Sequence, residues 1–80
     1  MRTHGEIGNW LVKYLDKNGN PSRSMSHYID LHLENIPFKL FKYRLAQDMR
    51  YINEVDDERL TERDKADVKS LWEFIIGGEK

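Results

Sequence analysis

Between Pro37 and Asn53 the apolar residues fall on two opposite sides of one helical period. At about 100° per residue, Phe38, Phe41, Leu45, Met49 and Ile52 form one stripe. Leu40, Tyr43 and Tyr51, with Gln47 between them, form the other. A helix of a small domain needs one apolar face to join the core. A second face implies either a position sandwiched between other helices or a partner outside the monomer.

The rest of the chain limits what that helix can belong to. Its 80 residues suffice for one domain. Surface scaling gives roughly 5,000 Å² folded against roughly 14,000 Å² unfolded, so ~63% of the surface would be buried. That supports one modest core and leaves little chain for a deep substrate cleft. Apolar residues make up 39% and charged residues 34%, too apolar for disorder and too charged for a membrane protein. No apolar run approaches the ~18 residues of a membrane span, and Met1 to Leu15 contains no apolar export-signal core. The absence of cysteine excludes disulfides and thiolate metal sites. It also fits a reducing environment, so the expected location is cytoplasmic and no membrane association is expected.

The stripes continue on either side. Thr3 and Glu6 have capping-box spacing, and Ile7, Trp10, Leu11, Tyr14 and Leu15 follow at helical intervals. Gly19 stops that helix and Pro21 bars its continuation. The helical period before Asn18-Gly19 argues against a β-hairpin there. Ser22 or Ser24 can cap a second helix carrying Met25, Tyr28, Ile29, His32, Leu33 and Ile36, which Pro37 ends. Proline suits the first position of the next helix. Thr61 and the acids after it open a fourth helix bearing Val68, Leu71, Trp72 and Ile75, with Gly77-Gly78 as its stop and a fraying end at Glu79-Lys80. The expected fold is all-α, a compact four-helix single domain spanning 1–80, with helices near 4–17, 23–35, 37–53 and 61–76.

Charge is polarised along the chain although its total is −1. From Pro37 to Arg50, Lys39, Lys42, Arg44 and Arg50 face Asp48 alone, which leaves +3. From Asn53 to Asp67, seven acids against Arg59, Arg63 and Lys65 leave −4. The simplest account is two neighbouring helices with complementary solvated faces.

Motifs that would carry chemistry are weak. Asp16-Lys17-Asn18-Gly19-Asn20 opens like a calcium loop, but Pro21 stands where the loop needs glycine and His27 where it needs a closing Glu. His27 and His32 are five apart rather than the four that a zinc pair on one helix face requires. His32 reads as a core-edge residue, and His27 with Ser26 and Asp30 as a polar cluster lacking a pocket. Gly5-x-x-Gly8 has the spacing of an RNA-binding clamp without its strands or basic residues. Asp56, Asp57 and Glu58 read as a solvated connector, and Trp10 and Trp72 as core residues, either of which can stay part-exposed as an anchor. No catalytic function, metal or cofactor is expected.

Three fates remain for the second stripe of the third helix: burial in the monomer, contact with a protein, or contact with nucleic acid. Aromatics and arginine dominate the energetics of protein interfaces. The expected contact residues are therefore Lys39, Leu40, Tyr43, Arg44, Gln47, Arg50 and Tyr51. The leading expectation is a small non-enzymatic interaction module, a regulator or inhibitor of the type carried by phages and plasmids, that docks on a larger protein or self-associates. The alternative is a nucleic-acid-binding regulator with a helix-turn-helix-like pair and the third helix as reader. For that, Lys39, Lys42, Arg44 and Arg50 should converge on one basic surface. The short Asn35-Ile36-Pro37 connection, lacking glycine, counts against it.

Overall fold

Each apolar stripe becomes the inner face of a helix. The computed structural model describes residues 4–77, with α1 at His4–Asn18, α2 at Arg23–Leu33, α3 at Phe38–Glu54 and α4 at Glu62–Gly77. There is no strand among the described residues, so the all-α four-helix expectation holds. The Thr3 cap, Gly78 and the Glu79-Lys80 end lie outside them. No described helix is long and apolar enough to cross a membrane.

The core takes Ile7 and Leu11 from α1, Met25 and Tyr28 from α2, and Phe41 and Leu45 from α3. Val68, Leu71 and Ile75 of α4 complete it. Helix α4 packs against both α2 and α3, and α2 also touches α1 and α3. Trp10 and Trp72 are only partly buried and pack against this core from its edge. Trp10 stacks on Tyr14 at 4.8 Å and on Phe74 at 5.2 Å between ring centroids.

The helix ends differ from expectation in instructive ways. Gly19, at φ +82°, closes α1 by donating to the Leu15 carbonyl at 2.8 Å. Ser22 caps α2, its hydroxyl accepting from the Met25 N–H. Helix α2 then ends at Leu33, two residues early, because Asn35 takes the left-handed conformation at φ 57° and donates to the His32 carbonyl. Asparagine tolerates that region better than most residues, so the turn needs no glycine. Leu33, the last residue of α2, is 74% exposed and leaves the stripe assigned to it. Pro37 is the N-cap of α3 rather than its first residue, and its carbonyl accepts from Leu40 and Phe41 with no side-chain cap. Gly5 and Gly8 lie inside α1, where a clamp loop cannot form. A Cβ on Gly8 would stand 3.0 Å from Nε2 of His32, so glycine there lets α1 approach the half-buried imidazole.

Two carboxylates tie the halves of the chain together. Asp64 and Asp67 extend the apolar stripe of α4 toward its start and are buried with it. Asp64 exchanges hydrogen bonds with Thr61 in a capping box and also accepts from the Ser24 N–H at 3.1 Å. Asp67 accepts from the Tyr14 hydroxyl at 2.5 Å, the Ser22 N–H at 3.2 Å and Nε of Arg63 at 2.9 Å. Burial alone would push both carboxyls up. The bonds from Thr61 and Ser24 outweigh it at Asp64, and those from Tyr14, Ser22 and Arg63 outweigh it at Asp67. Both groups are held below the ordinary carboxylate range.

Candidate protein-docking face

Helix α3 is anchored from its inner side. Phe41 and Leu45 are fully buried, and Phe38, Met49 and Ile52 pack against the core. Midway along, the buried Tyr28 hydroxyl of α2 donates to the Asp48 carboxylate, a short contact. Burial and that bond hold the Tyr28 phenol well above its ordinary value. With one side so engaged, the opposite stripe can only face outward.

It does: Leu40 is 45%, Tyr43 60% and Tyr51 39% exposed, and burial inside the monomer is therefore not the fate of this stripe. Lys39, Arg44, Gln47 and Arg50 are exposed along the same helix. From Lys39 round to Arg44 the strip spans about 140° of the helix circumference, and from Lys39 to Tyr51 about 18 Å of its length. At its start, Pro37, Lys39, Leu40 and Tyr43 line an open apolar depression of about 350 Å³. The side-chain amide of Gln47 donates to the Tyr43 hydroxyl at 3.1 Å.

Tyr51 stands apart from the other two. Its hydroxyl donates to Asp57 at 2.5 Å, and Asp57 also pairs with Arg59 through Nε at 3.0 Å and a terminal nitrogen at 2.8 Å. The bonds from Arg59 and then Tyr51 hold the Asp57 carboxyl well below the usual carboxylate range, and the bond to Asp57 pushes the Tyr51 phenol up. The ring is thus held in place by the α3–α4 connection, which makes Asp57 and Arg59 supports of the face. Sequence reasoning placed Asp57 in a solvated connector and overlooked this role. It also stopped the face at Tyr51, whereas Glu54 and the 41% exposed Val55 prolong it. Continuing the same helical period past Tyr51 would have found them.

The four basic residues proposed as a nucleic-acid surface do not converge. Lys39 and Arg50 border one margin of the strip and Arg44 the other, while Lys42 lies about 60° beyond Lys39, outside the strip and half-buried. Arg50 is also within 3.9 Å of Glu54.

Two further hollows lie away from α3. One of about 310 Å³ between the starts of α2 and α4 is lined by Arg23, Arg59 and Arg63 together with Ser22, Thr61 and Asp64. Asp57 pairs Arg59, Asp67 pairs Arg63, and Asp64 and Asp67 already occupy the N–H groups at the start of α2. Another of about 230 Å³ lies beside Trp10 and Phe74 with Glu6, Asn9 and Lys13. None of the three hollows is lined by His27 or His32, and no metal-holding group of His, Asp and Glu occurs among the described residues. No protein family, characterised protein or solved structure matches this chain.

Proposed function

We propose that this protein is a non-enzymatic interaction module whose contact surface is the outer strip of α3. The observation that carries the reading is the joint exposure of Leu40 and Tyr43 on an apolar depression, on a helix whose opposite stripe already fills its share of the core. Exposed apolar patches of this kind on small proteins commonly mark contact sites. The strip has an interface-like composition, with aromatic and aliphatic residues at the centre and Lys39, Arg44 and Arg50 at the rim. Rim cations of this kind set association rate and specificity more than affinity. A module that binds without catalysing acts by occupancy, which is the mode of a regulator or inhibitor.

The test is a photo-crosslinking amino acid at position 43, compared with the same residue at position 33. Leu33 is at least as open to solvent as Tyr43 but lies on α2, off the strip. A discrete adduct from position 43 and none from position 33 is expected in cells that produce the protein. Equal adducts from both positions, or none from position 43, would overturn the reading.

A further inference from the structure

Building on that reading of α3, we infer that the strip is self-complementary and that its occupant is a second copy of this chain, with the two α3 helices antiparallel across a two-fold axis at Gln47. Antiparallel pairing about residue 47 brings the start of one α3 level with the end of the other. At about 1.5 Å per residue, Lys39 comes within about one residue of Glu54 of the second copy. Tyr43 comes level with Tyr51 of the second copy and beside its Arg50, and Arg44 comes beside its Tyr51. A two-fold axis perpendicular to both helices keeps each margin of the strip against the same margin of its copy. Lys39, Tyr43, Arg50 and Glu54 therefore meet on one side, and Leu40, Arg44 and Tyr51 on the other. Arg44 and Arg50 do not face each other.

This arrangement gives every charged group on the strip a complement. Lys39 finds Glu54, and each arginine lies along a tyrosine ring, a pairing favoured by cation–π attraction. Gln47, at the axis, carries an amide that both donates and accepts, so it can pair with its own copy. The helix dipoles run head to tail, which also favours antiparallel association. Leu40, Tyr43, Tyr51 and Val55, four of the large apolar residues most open to solvent, are covered together. The contact is isologous and closes on itself, as two-fold interfaces do.

Prolonged to Val55, the strip is about 24 Å long and about 10 Å wide, so it lies below the about 800 Å² per partner of a standard interface. The dimer belongs to the weak, concentration-dependent class.

Sedimentation equilibrium of the whole chain from about 5 µM to about 500 µM should show the mass rising toward twice that of the monomer. Gln47→Lys and Gln47→Glu, each alone, set like charges face to face at the axis and should remain monomeric with unchanged helical circular dichroism. An equal mixture of the two should recover the dimer. Because the chain contains no cysteine, Gln47→Cys should oxidise to a disulfide-linked dimer at least tenfold faster than Leu33→Cys. A monomer throughout the range, or charge variants that dimerise as the parent does, would overturn the inference. If position 43 still gave a discrete adduct with a different protein, the docking reading would stand with another occupant. If position 43 gave no adduct at all, both would fall.

Discussion

Replacing Asp67 with asparagine should remove about 2–3 kcal/mol of folding stability at pH 7. The carboxylate is fully buried and accepts from three donors on three parts of the chain: Tyr14, Ser22 and Arg63. Hydrogen bonds to a charged group contribute about 1.5–3 kcal/mol each. The full sum does not apply, because Arg63 is 38% exposed and returns to water when its partner goes. The amide also keeps one accepting oxygen. What remains is one strong bond lost and an NH2 group turned toward donors. A domain of this length has a total stability of about 4–12 kcal/mol, so the melting temperature should fall by about 10–20 °C. The sign with pH follows from the depressed carboxyl. Its stabilisation is complete above the ordinary aspartate value of about 3.9 and fades as pH falls through the lower folded-state value. Protonated Asp67 is nearly isosteric with asparagine, so the gap between parent and variant should narrow as pH falls below about 3.9. Urea denaturation of both proteins at pH 7 and near pH 2 measures this. A difference under about 0.5 kcal/mol at pH 7, or one that persists undiminished in acid, would refute the assignment of Asp67 as the ionised tie between α1, α2 and α4.

Three other outcomes are expected. Tyr28→Phe strips the half-buried Asp48 of its donor and should cost about 1.5–3 kcal/mol in urea melts; in the parent the raised phenol should ionise only as the protein unfolds, with stability lost above pH ~10, which absorbance titration of the tyrosines reads directly. Gly8→Ala should stabilise by about 1 kcal/mol in a His32→Ala background, the usual helix-propensity gain, and by clearly less in the parent, where the new methyl meets Nε2 of His32 at 3.0 Å; equal gains in both backgrounds would contradict the close approach. Asn35→Ala should cost about 1–2 kcal/mol and Asn35→Gly nearly nothing, because the residue sits at φ 57°; equal stabilities would dismiss the left-handed turn.

The inner stripes of all four helices were legible because burial enforces a 3.6-residue period that few other constraints imitate. Leu33 broke the pattern because it is the last residue of α2 and lies about 80° round from Met25, at the edge of the stripe, where no neighbouring helix covers it. The spacing of Thr61 and Asp64 at the start of α4 was legible and forms a cap, but the burial of Asp64 and Asp67 was not. Both keep the stripe's spacing, yet acids at the start of a helix suit its dipole in solvent as well. Only the tertiary fold brings the N–H groups of Ser22 and Ser24 to them. The composition of the α3 strip was readable, since Leu40, Tyr43 and Tyr51 oppose a complete core stripe. That it faces outward was not readable, because periodicity tells how many faces a helix has and not how many neighbours it meets. The Tyr51–Asp57–Arg59 cluster lay beyond sequence reasoning too, as it depends on the path of the α3–α4 connection.

Exposure alone would not distinguish a contact face from a helix whose outer side is merely unfinished. The supports of α3 make the difference. Its first turn is held by the Pro37 carbonyl, its middle by Tyr28 on Asp48, and its last turn by Tyr51 on Asp57 with Arg59 behind it. The last of these lies on the outward side, where it fixes a ring that the core does not need. Ordering a tyrosine before a partner arrives lowers the entropy lost on contact. A surface residue selected only for solubility would have no use for such a clamp. The same logic separates Tyr43 from Tyr51 within one strip. Tyr43 is the more open, with its hydroxyl accepting from Gln47, whereas Tyr51 is set in advance by Asp57. An antiparallel pair sets Arg50 of the second copy beside the open Tyr43 and Arg44 of the second copy beside the fixed Tyr51, so that each copy supplies both rings and both cations.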